Sequence, residues 1–159
     1  MEARSTDKKT LQFLDNGKEL GQLVYENVFS LKAKIQLANE ELYCLNPVGF
    51  WGTSIVVTKN EMEIANLKMN WRGQIVFSFQ DGQEFMLKAK GVFYNKYLLQ
   101  NKNEEALILF TPKFNWSKFD YNYDITFEQD PQDMLLVLLG VYAANYFIAS
   151  MSGAMSGMA

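Results

Sequence analysis

Two lysine doublets are the residues best spaced to do chemistry. Lys32 and Lys34 stand two apart, as do Lys88 and Lys90, and a spacing of two puts both members on one face of a β-strand. With Arg72, Lys113 and Lys118 they could gather around an anionic lipid headgroup. The bland alternative is that they are the solvated faces of strands. Arginine suits bidentate phosphate recognition better than lysine, and the chain has only Arg4 and Arg72. Trp51, Trp71 and Trp116, with Phe50 and Phe114, fall in or beside turn signals. Exposed, they would dip into a membrane interface or bind a partner; otherwise they close the ends of a core.

Other chemistries lack their reagents. The 159-residue chain contains no histidine, which removes Ser-His-Asp and Cys-His nucleophiles, His-ligated zinc and the usual imidazole acid/base. Cys44 is the one cysteine, set between Tyr43 and Leu45. It can form no internal disulfide, and without an activating histidine it reads as an inert buried thiol. Asp and Glu number 18 against 15 Lys and Arg; the carboxylates are scattered, with no pair that stands out. There is no phosphate loop, dinucleotide fingerprint or calcium loop. A formal net charge of −3 offers no global field for nucleic acid. The expectation is a protein that is not an enzyme and needs no metal or cofactor.

The elements that must position these residues are strands. No helical periodicity persists before residue 131. Short apolar runs recur instead, punctuated by turn signals. They predict strands at 10–15, 19–26, 32–38, 41–46, 53–58, 61–70, 74–79, 84–90, 97–101, 105–112 and 121–128. Asn46-Pro47-Val48-Gly49 reads as a plain turn. The central meander can be registered. With Gln80-Asp81-Gly82 as a three-residue loop and Gly82 left-handed, Phe77 faces Phe85 and Ile75 faces Leu87. With Trp71-Arg72-Gly73 as a loop, Met69 faces Ile75 and Leu67 faces Phe77. Met62 and Ile64 are out of phase with Leu67 and Met69, which predicts a bulge near Ala65-Asn66. So many strands in a row leave long edges unless the sheet closes.

Beyond Asp133 no charged residue remains, and Met134–Ala149 is almost wholly apolar. Asp130 suits a cap and Pro131 a first helical position, predicting a helix over 131–150. A helix apolar all round needs apolar surroundings. Gly140, Ala143, Ala144 and the polar Asn145 favour a helix wrapped by protein; so does the absence of flanking Lys or Arg. The fold expected is mainly β: a closed antiparallel barrel of about 11–12 strands around a buried C-terminal helix. Residues 10–150 would form this single domain, with a disordered N-terminus over 1–9 and a flexible tail over 151–159. Met1–Lys9 has no apolar stretch of the kind a secretory signal needs, so a cytoplasmic protein, associated with membranes through lipid headgroups, is expected.

A closed antiparallel barrel threaded by an apolar C-terminal helix resembles the tubby-like superfamily, which includes the tubby C-terminal domain, the phospholipid scramblases and the LURP-one-related proteins. The stretches that carry the resemblance are Ser54–Ala65, the meander Leu67–Lys90 and the helix Met134–Ala149. It implies the barrel fold and a link to phospholipids or phosphoinositides, and it carries no residue-level site. The expected partner is an anionic membrane lipid or another protein. Two further readings compete: a tail-anchored membrane protein with a cytoplasmic β-domain, and a barrel that carries a small apolar ligand.

Overall fold

A computed structural model describes residues 1–28, 30–49, 54–91, 95–117, 120–130 and 133–151. Phe50, Trp51, Lys118, Pro131 and the tail beyond Met151 lie outside the described residues. Twelve antiparallel strands follow one another around a closed barrel. They are β1 (Glu2–Ser5), β2 (Thr10–Asp15), β3 (Lys18–Tyr25), β4 (Ala33–Leu37), β5 (Leu42–Val48), β6 (Ser54–Lys59), β7 (Met62–Met69), β8 (Ile75–Phe79), β9 (Glu84–Lys90), β10 (Lys96–Asn101), β11 (Ala106–Asn115) and β12 (Asp120–Phe127). One helix, α1 (Met134–Met151), follows.

Each strand pairs with its neighbours in sequence, and β1 closes the ring on β12 through Glu2↔Asp124 and Ala3↔Tyr123. This corrects the disordered N-terminus expected over 1–9. The reason is parity. In a simple meander successive strands reverse direction, so with an even number the first and last run antiparallel. A twelfth, however short, closes the ring antiparallel and satisfies the backbone groups of both edges. The small side chains of Ala3 and Ser5 are both buried there.

The central registers are as the apolar pattern predicts. Ile75↔Leu87 and Phe77↔Phe85 pair across β8–β9, and Leu67↔Phe77 and Met69↔Ile75 across β7–β8. Both three-residue loops have their glycine left-handed, Gly73 at φ 76° and Gly82 at φ 93°. The bulge falls one residue before the expected place. Val57 pairs with Ala65 and Thr58 with Glu63, leaving Ile64 as the extra residue. Pro47 is no turn residue but continues β5 opposite Ile55. The β4–β5 pairing ends at Ala33↔Leu45, so the N–H that proline lacks removes nothing on that side.

The helix starts later than predicted. Asp133, not Asp130, caps it, accepting from the Leu135 N–H at 2.9 Å. Its eighteen residues make it about 27 Å long at ~1.5 Å per residue. Every residue from Leu135 to Ala144 is buried, on all sides of the helix. Leu135–Leu139, Val141–Ala144 and Phe147 belong to one cluster with the inward side chains of the strands. The contacts run in order along the axis. Leu138 lies against Gly21, where an added Cβ would come within 3.3 Å of its Cδ2. Gly140 lies under the Phe110 ring, where an added Cβ would sit 2.2 Å from Cζ. Phe147 stacks on Tyr97 with centroids 5.6 Å apart.

Tyr142 and Asn145 of the helix are hydrogen-bonded to the surrounding barrel. The Tyr142 hydroxyl donates to the Leu31 carbonyl at 2.6 Å. Tyr123 donates to Asn145 Oδ1 at 2.6 Å, and Asn145 Nδ2 donates to the Tyr25 hydroxyl at 3.1 Å. Burial pushes the Tyr25, Tyr123 and Tyr142 hydroxyls well above the ordinary phenol range, so they stay neutral and bonded. Among the described residues, no helix is long and apolar enough to cross a membrane.

Candidate functional site

The alternation of hairpins gives the barrel two distinct ends. The helix enters after β12, at the end that carries the turns after β2, β4, β6, β8 and β10. It runs toward the other end, which carries the connections after β1, β3, β5, β7, β9 and β11. We call these the entry end and the exit end.

The predicted lysine doublets do not converge. β4 and β9 are five places apart in a ring of twelve strands, so Lys34 and Lys88 face outward on opposite sides. What Lys32, Arg72, Lys90 and Lys113 share is the exit end. Lys32 directly precedes β4, Arg72 lies in the β7–β8 loop, Lys90 closes β9, and Lys113 sits near the end of β11. Lys8 and Lys9, in the β1–β2 connection, join them. Two are partly neutralised: Lys32 is 3.9 Å from Glu26, and Lys113 pairs with Asp124. Lys34, Lys88 and Lys90 form no salt bridge with any described residue.

The register adds a cation that spacing along the chain did not reveal. Lys96 lies directly across from Lys90 at the start of β10. Both point outward, since Ala89 and Tyr97 alternate with them on the inner face. Like charges directly opposite destabilise a sheet, and an anion held between them would relieve that. The Gly91 turn followed by Lys96 is the signal that could have found this pair.

The entry end has the opposite character. Glu40, Glu61, Asp81, Glu104, Glu105 and Asp133 lie in its turns. Three of the turn positions are left-handed yet hold glutamate, namely Glu40 at φ 71°, Glu61 at 66° and Glu104 at 64°. At the exit end the left-handed positions among the described residues are glycines, Gly49, Gly73 and Gly91. Glu41 is held below the usual carboxylate range by the Tyr43 hydroxyl and then by Lys59, 3.3 Å away, so it stays charged. The acidic ring sits at the positive pole of the helix and the basic one at the negative pole, so each complements the dipole.

Exposed apolar side chains follow the same division. Trp71 is 88% exposed and Trp116 76%, and Val28, Val48 and Phe114 are exposed at the same end. Leu42 and Met62 are the exposed exceptions at the entry end. Arg72 stacks over the Trp71 ring at 5.1 Å. Trp116 meets Phe114 edge-on at 4.6 Å, and Phe114 meets Tyr121 at 5.3 Å.

Interior and open hollows offer little else. A cavity lined by Ile55, Leu67, Met69, Ile75, Tyr142 and neighbouring residues measures about 10 Å³, at or below the space one water needs. Open hollows of about 350 and 370 Å³ lie beside Glu19 and Glu40 and beside Asp81 and Glu84, toward the acidic end. Cys44 is half-buried on the outer face of β5, not in the core. Ser5 donates to the Asp7 carbonyl at 2.9 Å and approaches Asp120 at 3.4 Å, a carboxyl whose burial raises its pKa. No group of three potential metal ligands occurs among the described residues. Comparison with known proteins returned no matching family model, no curated relative and no matching solved structure.

Proposed function

We propose that the protein is a non-catalytic binding module that recognises anionic phospholipid headgroups through the exit end of its barrel. The observation that carries this reading is the segregation of charge. At one end Lys8, Lys9, Lys32, Arg72, Lys90 and Lys96 outnumber Asp7, Glu26 and Asp120, while carboxylates crowd the other. Such a molecule is a dipole despite its net charge of −3. It would approach a negative surface basic end first, with its acidic end repelled. Each lysine or arginine near such a surface contributes ~1 kcal/mol, and the attraction fades within a Debye length. The resemblance to the tubby-like superfamily points to the same ligand class on independent grounds.

The carrier reading has less support, because an interior cavity of about 10 Å³ leaves a ligand no room. The tail-anchor reading requires α1 to leave the cluster it shares with the strands and Asn145 to give up both its tyrosine partners.

Flotation with vesicles of phosphatidylcholine, with and without phosphatidylserine, tests the proposal. It predicts binding only to the anionic vesicles and release as salt rises. Equal recovery with both vesicle types, or with neither, overturns it.

A further inference from the structure

We infer that the barrel docks end-on, with Trp71 and Trp116 as two anchors that enter the interfacial layer of an anionic bilayer. The inference rests on the headgroup reading above and adds orientation and depth to it. Trp71 stands at the tip of the β7–β8 loop and Trp116 at the β11–β12 turn, both largely exposed. Neither packs into the core cluster. An indole combines a large apolar face with one N–H donor, which suits the depth of headgroups and first methylenes. Val28, Val48 and Phe114 add apolar surface at the same end.

The arrangement of these groups chooses the occupant. The two loops are four strands apart around the barrel, so the anchors are spread about 19 Å along its rim at ~4.8 Å per strand. Between them lie β9 and β10 with Lys90 and Lys96. Anchors on separate loops, with cations between them, match a broad negative plane that accepts apolar groups at its boundary. The cavity and hollows at Ile55, Glu19 and Asp81 are lined by none of these groups. Arg72, stacked on Trp71, would reach a phosphate as the indole seats below it.

The test uses vesicles of phosphatidylcholine with about 30% phosphatidylserine and bromine on the acyl chains. Full-length variants keep one tryptophan each, Trp71 or Trp116, with the others changed to Phe. Vesicles are expected to quench both. The double variant Trp71→Ala/Trp116→Ala is expected to bind roughly tenfold or more weakly, the scale of losing two large buried side chains. Met62→Ala at the entry end is expected to leave binding unchanged. Salt-sensitive binding with neither tryptophan quenched and the double variant unimpaired overturns end-on insertion while leaving headgroup recognition standing. No vesicle binding by the unaltered protein overturns both. If the double variant misfolds, the single-tryptophan quenching still decides.

Discussion

At the scale of single residues, the backbone and the buried polar groups make the sharpest predictions. A left-handed conformation costs an L-residue about 1–2 kcal/mol, and Glu61 adopts one at φ 66°. Glu61→Gly is therefore expected to stabilise the barrel by about 1 kcal/mol, read as a higher urea midpoint at unchanged slope. Asn145→Leu should do the reverse. It leaves the buried Tyr123 hydroxyl without its acceptor and takes the Asn145 donor from Tyr25, at a cost of about 1–3 kcal/mol. The need for such partners was legible, because an asparagine in an apolar run must be satisfied. Their identities were not: Tyr25 is 120 residues away in sequence and Tyr123 is 22. Cys44 shows the limit of reading a side chain from its neighbours, since its alternation with Tyr43 and Leu45 turns it outward rather than into the core.

At the scale of elements, alternation carried most of the information. The Phe77–Phe85 and Leu67–Phe77 pairings follow from requiring one apolar face across three strands. β1 escaped because Glu2–Ser5 is too short and polar to show a pattern; its role shows only in its pairing with both β2 and β12. The helix start was misplaced because Asp130 and Asp133 both look like caps and only geometry distinguishes them. Inside the ring, close packing makes α1 sensitive to volume. Gly140→Leu would drive a side chain into the Phe110 ring and is expected to cost at least about 1–3 kcal/mol by overpacking, measured by thermal denaturation. Deleting 134–159 is expected to abolish cooperative unfolding and near-ultraviolet dichroism, because it empties the shared core. A tail anchor predicts instead a folded, well-behaved domain.

At the scale of the whole molecule, pH and charge report on the same architecture. Tyr25, Tyr123 and Tyr142 have folded-state pKa values raised by burial, above the unfolded value near 10. Their neutral forms are favoured in the fold, so this contribution is intact below pH ~10. It is lost as pH rises beyond that, because only the unfolded chain then releases the protons. Absorbance of tyrosinate should therefore rise together with the loss of circular dichroism in alkali, with these three titrating only on unfolding. Lys88 and Lys90 were legible from sequence as one strand face, whereas Lys32 falls just before β4, and the meaning of neither doublet was legible. Placing Lys32 and Lys90 at one end, and Glu40 and Glu104 at the other, requires the alternation of every hairpin between them.

The most direct test of that polarity compares two triple variants with equal loss of charge. Lys88→Gln/Lys90→Gln/Lys96→Gln strips the basic side, and Lys18→Gln/Lys59→Gln/Lys102→Gln strips the few lysines of the acidic end. Binding to phosphatidylserine vesicles at low salt is the readout. The first variant is expected to lose ~3 kcal/mol of binding, about a hundredfold, at ~1 kcal/mol per lysine, and the second to bind nearly as the unaltered protein does. Equal losses in the two, or a greater loss in the second, would contradict the account.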